Sequence, residues 1–182
     1  LAQHCQQPLE VQMPTDYNYD VMLDLRKHLW SQLKSNSLFQ ASDYYSDNLG
    51  EELIPIIPVQ QQAEMNQFLS GKKHIVYDKI GMSYEDNWVI CCEQILFTIY
   101  STDISEINQI RNLMTDLYRR MDESARDTNL YTGISQKFKF YSIFVADISP
   151  TAPSEELAGF LSADVILEVK YARHVGTDGR FL

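Results

Sequence analysis

The residues in this chain best able to do chemistry are two adjacent cysteines, Cys91 and Cys92, inside the run WVICCEQILFTIYS. A redox pair needs cysteines two residues apart at a helix start, and a zinc site needs further Cys or His ligands at short spacing. Neither pattern occurs here. Neighbours on a strand point to opposite faces. That sets Cys91 with Val89, Ile95, Phe97 and Ile99, and Cys92 with Trp88, Ile90, Leu96 and Tyr100. Both sets are largely apolar, so the cysteines read as small buried hydrophobes. The expectation is a sheet apolar on both faces, one packed on helices and the other meeting a partner.

Other chemical candidates are weaker. SGKKH (70–74) lacks the first glycine of a phosphate-binding loop and has Lys73 where the hydroxyl residue belongs. It reads as a helix stop before an edge strand. His4, His28, His74 and His174 are scattered without paired spacing, and the third cysteine, Cys5, stands alone. The carboxylate pairs Glu51-Glu52 and Glu155-Glu156 fall in expected loops, with no apolar setting to raise a pKa for acid catalysis. Arg119, Arg120 and Arg126 among Asp122, Glu123 and Asp127 read as a solvated helix end with i,i+4 pairs, or as a salt-bridge network between subunits. No catalytic, metal-binding or cofactor-binding residue is expected, and the chain reads as a non-enzyme.

The elements around these residues follow from periodicity. YDVMLDLRKHLWSQL carries apolar residues at helical spacing, and ISEINQIRNLMTDLYRRM carries a second apolar stripe, Ile107, Ile110, Met114, Leu117 and Met121. Asp103 with Glu106 three residues on is a capping-box arrangement. HIVYD, WVICCEQILFTIYS, FKFYSIFVADI and ADVILEVKYAR are strands; in the last, Val165, Leu167, Val169 and Tyr171 share one face. Residues 1–15 form an expected flexible arm. Residues 16–182 form one α+β domain with a long irregular insertion at about 36–72, extended at IPIIPV because proline restricts itself and its predecessor. The fold class is a two-layer sandwich: a four-stranded, mainly antiparallel sheet with two main helices, in the order α-β-β-α-β-β.

Composition narrows the functions. The chain has 182 residues, a net charge of −10 and only 7 glycines. Phosphate-gripping nucleic-acid binders show basic patches, so specific DNA binding is not expected. There is no leader-like run and no apolar stretch of membrane-spanning length. Three cysteines, too few and too oddly placed for a disulfide framework, suit a reducing cytoplasm.

The element order and wording, from YDVMLDLRKHLWSQL through HIVYD, WVICCEQILFTIYS and ISEINQIRNLMTDLYRRM to FKFYSIFVADI and ADVILEVKYAR, resemble the tail-terminator (tail-completion, neck) proteins of long-tailed, T4-like bacteriophages. IPVQQQAEMNQFLSGKKHIVYD is similar to stretches of such neck proteins. The resemblance spans roughly residues 16–175. It implies a structural virion protein, assembled in the host cytoplasm, forming a ring, expected hexameric, that caps the tail tube. Its implied partners are further copies of itself, tail-tube proteins and neck or connector proteins, with sheath as a further candidate. DNA would pass through the lumen without specific binding. Trp30, Phe39, Tyr44, Tyr45, Arg119, Arg120 and Tyr131 are the candidates for subunit contacts, since aromatics and arginine are the commonest interface anchors. A different class fits the same residues: a soluble α+β binding module that dimerises through its open sheet and takes a small ligand or protein partner.

Overall fold

The computed structural model of the chain describes residues 21–47, 49–84, 90–128 and 138–173. The expected 1–15 arm, with His4 and Cys5, lies outside the described residues, as do Trp88, Val89, Tyr131, His174 and the side chains of Arg126 and Asp127.

The apolar stripes fold as their spacing dictates. Helix α1 (Val21–Ser35) buries Val21, Met22, Leu25, Leu29, Trp30 and Leu33. Helix α3 (Ile104–Thr128) buries Ile107, Ile110, Met114, Leu117, Tyr118 and Met121. Between them lie α2 (Gln62–Leu69), β3 (Ile56–Pro58), β4 (His74–Tyr84) and β5 (Ile90–Ser101). After α3 come β6 (Phe138–Ile148), β7 (Ala152–Pro153) and β8 (Leu161–Arg173). The long elements keep the order α-β-β-α-β-β.

One expectation needs correcting. The main sheet has six strands rather than four, in the order β3-β4-β5-β8-β6 with β7 on β8. It is mainly antiparallel but mixed, because β3 runs parallel to β4, Ile56 to Pro58 beside Ile75 to Tyr77. Parallel neighbours need a crossover, and α2 supplies it. Gly71, at φ +71°, turns the chain after α2 into β4. The prolines fit because β3 is an edge strand, where a missing N–H costs no ladder bond; the Pro55 carbonyl still accepts the Ile75 N–H at 2.8 Å. The 36–72 stretch also holds a two-strand ribbon, β1 (Tyr45–Ser46) and β2 (Glu51–Glu52).

Helices α1 and α3 cover one face of the sheet, packing on Ile95, Phe97 and Ile99 of β5 and Val165, Leu167 and Val169 of β8 in a single core. The join from β5 to α3 is two residues long and closely bonded. The Asp103 carboxylate accepts the Ser105 N–H at 2.8 Å, capping the helix. Glu106 does not close the capping box directly; the Asp103 N–H goes to Ser101 Oγ, and that hydroxyl donates to Glu106. Lys73, just before β4, donates to the same carboxylate at 2.7 Å. One glutamate thus ties the start of β4, the end of β5 and the first turn of α3.

The opposite face is not the continuous apolar surface expected. At one end it is covered: His74 and Tyr100 stack at 5.1 Å beneath Phe160. Toward the other end Leu96 and Ile166 face each other in register, half-buried, between polar rows. Gln94 donates to Glu168 at 3.2 Å on one side, and Thr98 to Asp164 at 2.7 Å on the other. Cys91 lies buried on the helix-covered face and Cys92 half-buried on this one. Truncation should register the asymmetry: Phe97→Ala should cost ~3–5 kcal/mol in urea unfolding and Leu96→Ala under about 2 kcal/mol. Equal costs would mean both faces are equally enclosed.

Candidate assembly surface

Three of the seven contact candidates are interior residues. Trp30, Phe39 and Tyr44 are buried against one another, with ring centroids 5.6–5.8 Å apart. Their polar atoms are also satisfied within the chain. Trp30 Nε1 donates to Glu52, which also accepts from Lys34 at 2.6 Å, and the Tyr44 hydroxyl donates to the Lys73 carbonyl at 2.6 Å. The trio pins the ribbon of β1 and β2 onto α1, so it offers no anchor to a second copy. Glu52, expected in a loop, sits on β2 as the acceptor in this knot.

Tyr45 is half-exposed on β1. Arg119 and Arg120 are exposed on α3, where Arg119 reaches Asp116 at 2.8 Å and Glu123 at 2.7 Å, and Arg120 reaches Asp116 at 3.1 Å. These are pairs along one helix in water, each contributing little to stability. Asp122 points the other way and accepts the Ile143 N–H of β6 at 2.9 Å.

Sequence reasoning passed over a buried carboxylate. Glu93 lies on the inward side of β5, 2% exposed, and accepts the Tyr171 hydroxyl at 2.7 Å, with Lys79 Nζ at 3.3 Å. Burial, and then the Glu93 carboxylate, raise the Tyr171 pKa well above the usual phenol range. The tyrosine therefore stays a hydrogen-bond donor, as a buried acceptor requires. The signal was parity: Glu93 shares its side of the strand with Cys91 and Ile95, and Tyr171 shares its side of β8 with Val169. Burial, then the Glu168 carboxylate, raise the Cys92 pKa, which keeps that thiol protonated.

The covered end of the second face holds His74, 2% exposed. Its Nδ1 lies 2.8 Å from the Lys72 carbonyl and so carries the proton, while Nε2 is buried without a hydrogen-bond partner among the described residues. Beside it the Tyr100 hydroxyl donates to Glu156 at 2.6 Å. Burial lowers the His74 pKa, and burial with the nearby Arg120 lowers that of His28.

Among the described residues no group of three or more His, Cys, Asp and Glu is placed to hold a metal ion, and no helix is long and apolar enough to cross a membrane. No protein-family model and no curated protein matches the chain. Among solved structures, a chain from the virion of a native gene transfer agent particle is similar at 9% identity and a TM-score of 0.45, over 85% of this chain and 98% of that one.

Two stability measurements check this geometry. Tyr171→Phe should cost about 1–3 kcal/mol, because it takes a hydrogen bond from a buried carboxylate. Tyr118→Phe should cost nothing, because the buried Tyr118 hydroxyl has no partner among the described residues. Equal costs would refute the Glu93 assignment. The second measurement is pH dependence. A histidine whose pKa is lowered by folding takes up its proton more readily when unfolded. Its contribution is complete above the ordinary histidine value of 6.5 and is lost as pH falls from there toward the folded-state value. Urea midpoints should therefore drop from pH 7.5 to 5.5 in the parent chain and drop less in His74→Gln; identical slopes would count against a neutral buried His74.

Proposed function

We propose that this chain is a structural virion protein of the tail-terminator kind. Copies form a ring that caps the tail tube, joins it to the neck or connector, and lets DNA pass through the lumen. The observation that carries the reading is the succession of long elements, α1, β4, β5, α3, β6 and β8, with β5 passing into α3 across only Thr102 and Asp103. That is the pattern on which the resemblance to tail terminators rests.

Charge supports the same reading. A chain of net charge −10 repels phosphate, whereas a basic lumen would hold DNA through counterion release. A ring needs head-to-tail contacts between two different surfaces. Tyr45, Arg119 and Arg120 remain contact candidates for these, as does Tyr131. In the ring, Arg119 and Arg120 would exchange some of their partners on α3 for carboxylates of the neighbouring copy.

The binding-module reading keeps one observation in its favour: exposed Ile80, Met82 and Tyr84 on the outer half of β4. Light-scattering mass separates the two. With purified tail tubes of a long-tailed phage present, the terminator reading predicts about six copies bound per tube end, reduced several-fold by the double substitution Arg119→Glu, Arg120→Glu. A chain that stays a dimer and ignores the tubes would overturn it.

A further inference from the structure

The two edges of the main sheet are finished differently. The β6 edge is guarded. It carries two bulges, Asp122 of α3 caps the Ile143 N–H, and Asp147 accepts the Ile148 N–H at 2.8 Å. Repeated bulges and edge carboxylates together prevent strand-to-strand association; β4 has a single bulge, at Ile80, and beyond it a regular run from Gly81 to Tyr84. The β4 edge is flanked by β3 only as far as Tyr77. A bulge between Lys79 and Gly81 then bends β4, which continues against β5 as far as Tyr84.

The outer stretch, Ile80-Gly81-Met82-Ser83-Tyr84, has no charged side chain in a chain of net charge −10. Ile80, Met82 and Tyr84 are 47%, 56% and 59% exposed; Ile80 sits in the bulge, and Met82 and Tyr84, two residues apart in the regular run, share one side of the strand. An apolar, uncharged edge with no strand beside it among the described residues is a template for another strand.

We propose that this stretch of β4 pairs antiparallel with the same stretch of a second copy of the chain. The sequence is self-complementary about Met82. Met82 meets its own counterpart, Ile80 meets Tyr84, and Gly81 meets Ser83. Each apolar side chain thus faces an apolar one, and an aromatic faces a β-branched residue, a favourable cross-strand pair. No like charges face each other, so two acidic copies approach where their repulsion is least. The contact is two-fold and uses one edge. With the β6 edge guarded, it closes at two copies rather than extending into a fibre. It does not depend on the virion reading and is separate from any head-to-tail ring contact.

Disulfide trapping tests the register. Met82→Cys places two sulfurs across the two-fold axis, within the Cα spacing a disulfide accepts, whereas Ile80→Cys faces Tyr84 of the other copy. Under mild oxidation Met82→Cys should link into pairs well ahead of Ile80→Cys and of the parent chain, whose own cysteines set the background. Both sites are exposed, so both variants should fold. Hydrogen exchange on the parent chain gives a second reading. Amides in 80–84 should slow as concentration rises, while those in 138–148 should not change. Linking no faster than in Ile80→Cys, or exchange at 80–84 indifferent to concentration, overturns the proposal. A six-copy particle with freely exchanging 80–84 amides overturns it while leaving the ring reading standing. A trapped pair that ignores tail tubes supports it and counts against the ring.

Discussion

The burial of one side of β5 under α3 is the constraint on which the rest of the structure depends. Cys91, Ile95, Phe97 and Ile99 point into the helices, and each large apolar side chain so enclosed contributes about 1.5–3 kcal/mol. Exposed ion pairs such as those of Arg119 contribute little, so they ornament the fold rather than set it. The connection from Ser101 to Ile104 is too short to let α3 go anywhere but back across the sheet. Glu106 locks the fold-back, holding Ser101 directly and Lys73 from the neighbouring strand. Burial alone would raise the Glu106 pKa; the hydrogen bonds from Lys73 and Ser101 outweigh it and hold the carboxylate below its usual range. The joint therefore stays charged in neutral solution.

Elements whose stability comes from their own periodicity could be read directly from the residues. The stripes of α1 and α3 and the alternation of β8 run across many residues, and each shows which side faces the core. What depended on distant pairing could not be read. β3 is three residues beside two prolines, and only β4, reached through α2, makes it a strand. Glu93 stands inside an apolar run, and only the strand register sets Tyr171 and Lys79 beside it. Trp30, Phe39 and Tyr44 have the composition of interface anchors, but composition does not say whether aromatics meet one another or a partner. Here Glu52 and the Lys73 carbonyl complete their bonds inside the chain. The second face of the sheet was misjudged for a similar reason. Its even-numbered β5 residues are mostly apolar, but Gln94 and Thr98 interrupt them, and β8 sets Glu168, Asp164 and Lys170 beside Gln94, Thr98 and Cys92.

This moves the case for association from the face of the sheet to its rim. A mixed face, capped at one end by His74, Tyr100 and Phe160, can stand in water. The outer half of β4 is a different surface, apolar and uncharged beside a chain that is otherwise strongly acidic. The β6 edge, with two bulges and two carboxylates on its N–H groups, is more heavily defended than the outer half of β4, which has a single bulge and no charged side chain from Ile80 to Tyr84. Exposed arginines on α3 and a half-exposed Tyr45 give further, separate surfaces. Several separate exposed surfaces and a net charge of −10 are what the proposed ring around passing DNA would need.

Electron microscopy of tail tubes grown with and without the chain tests the central claim most directly. A terminator should appear as a ring of density at one end of each tube, and tubes to which it has been added should stop lengthening when fresh tube protein is supplied. Bare ends, with tubes that grow as fast in its presence as in its absence, would contradict the account.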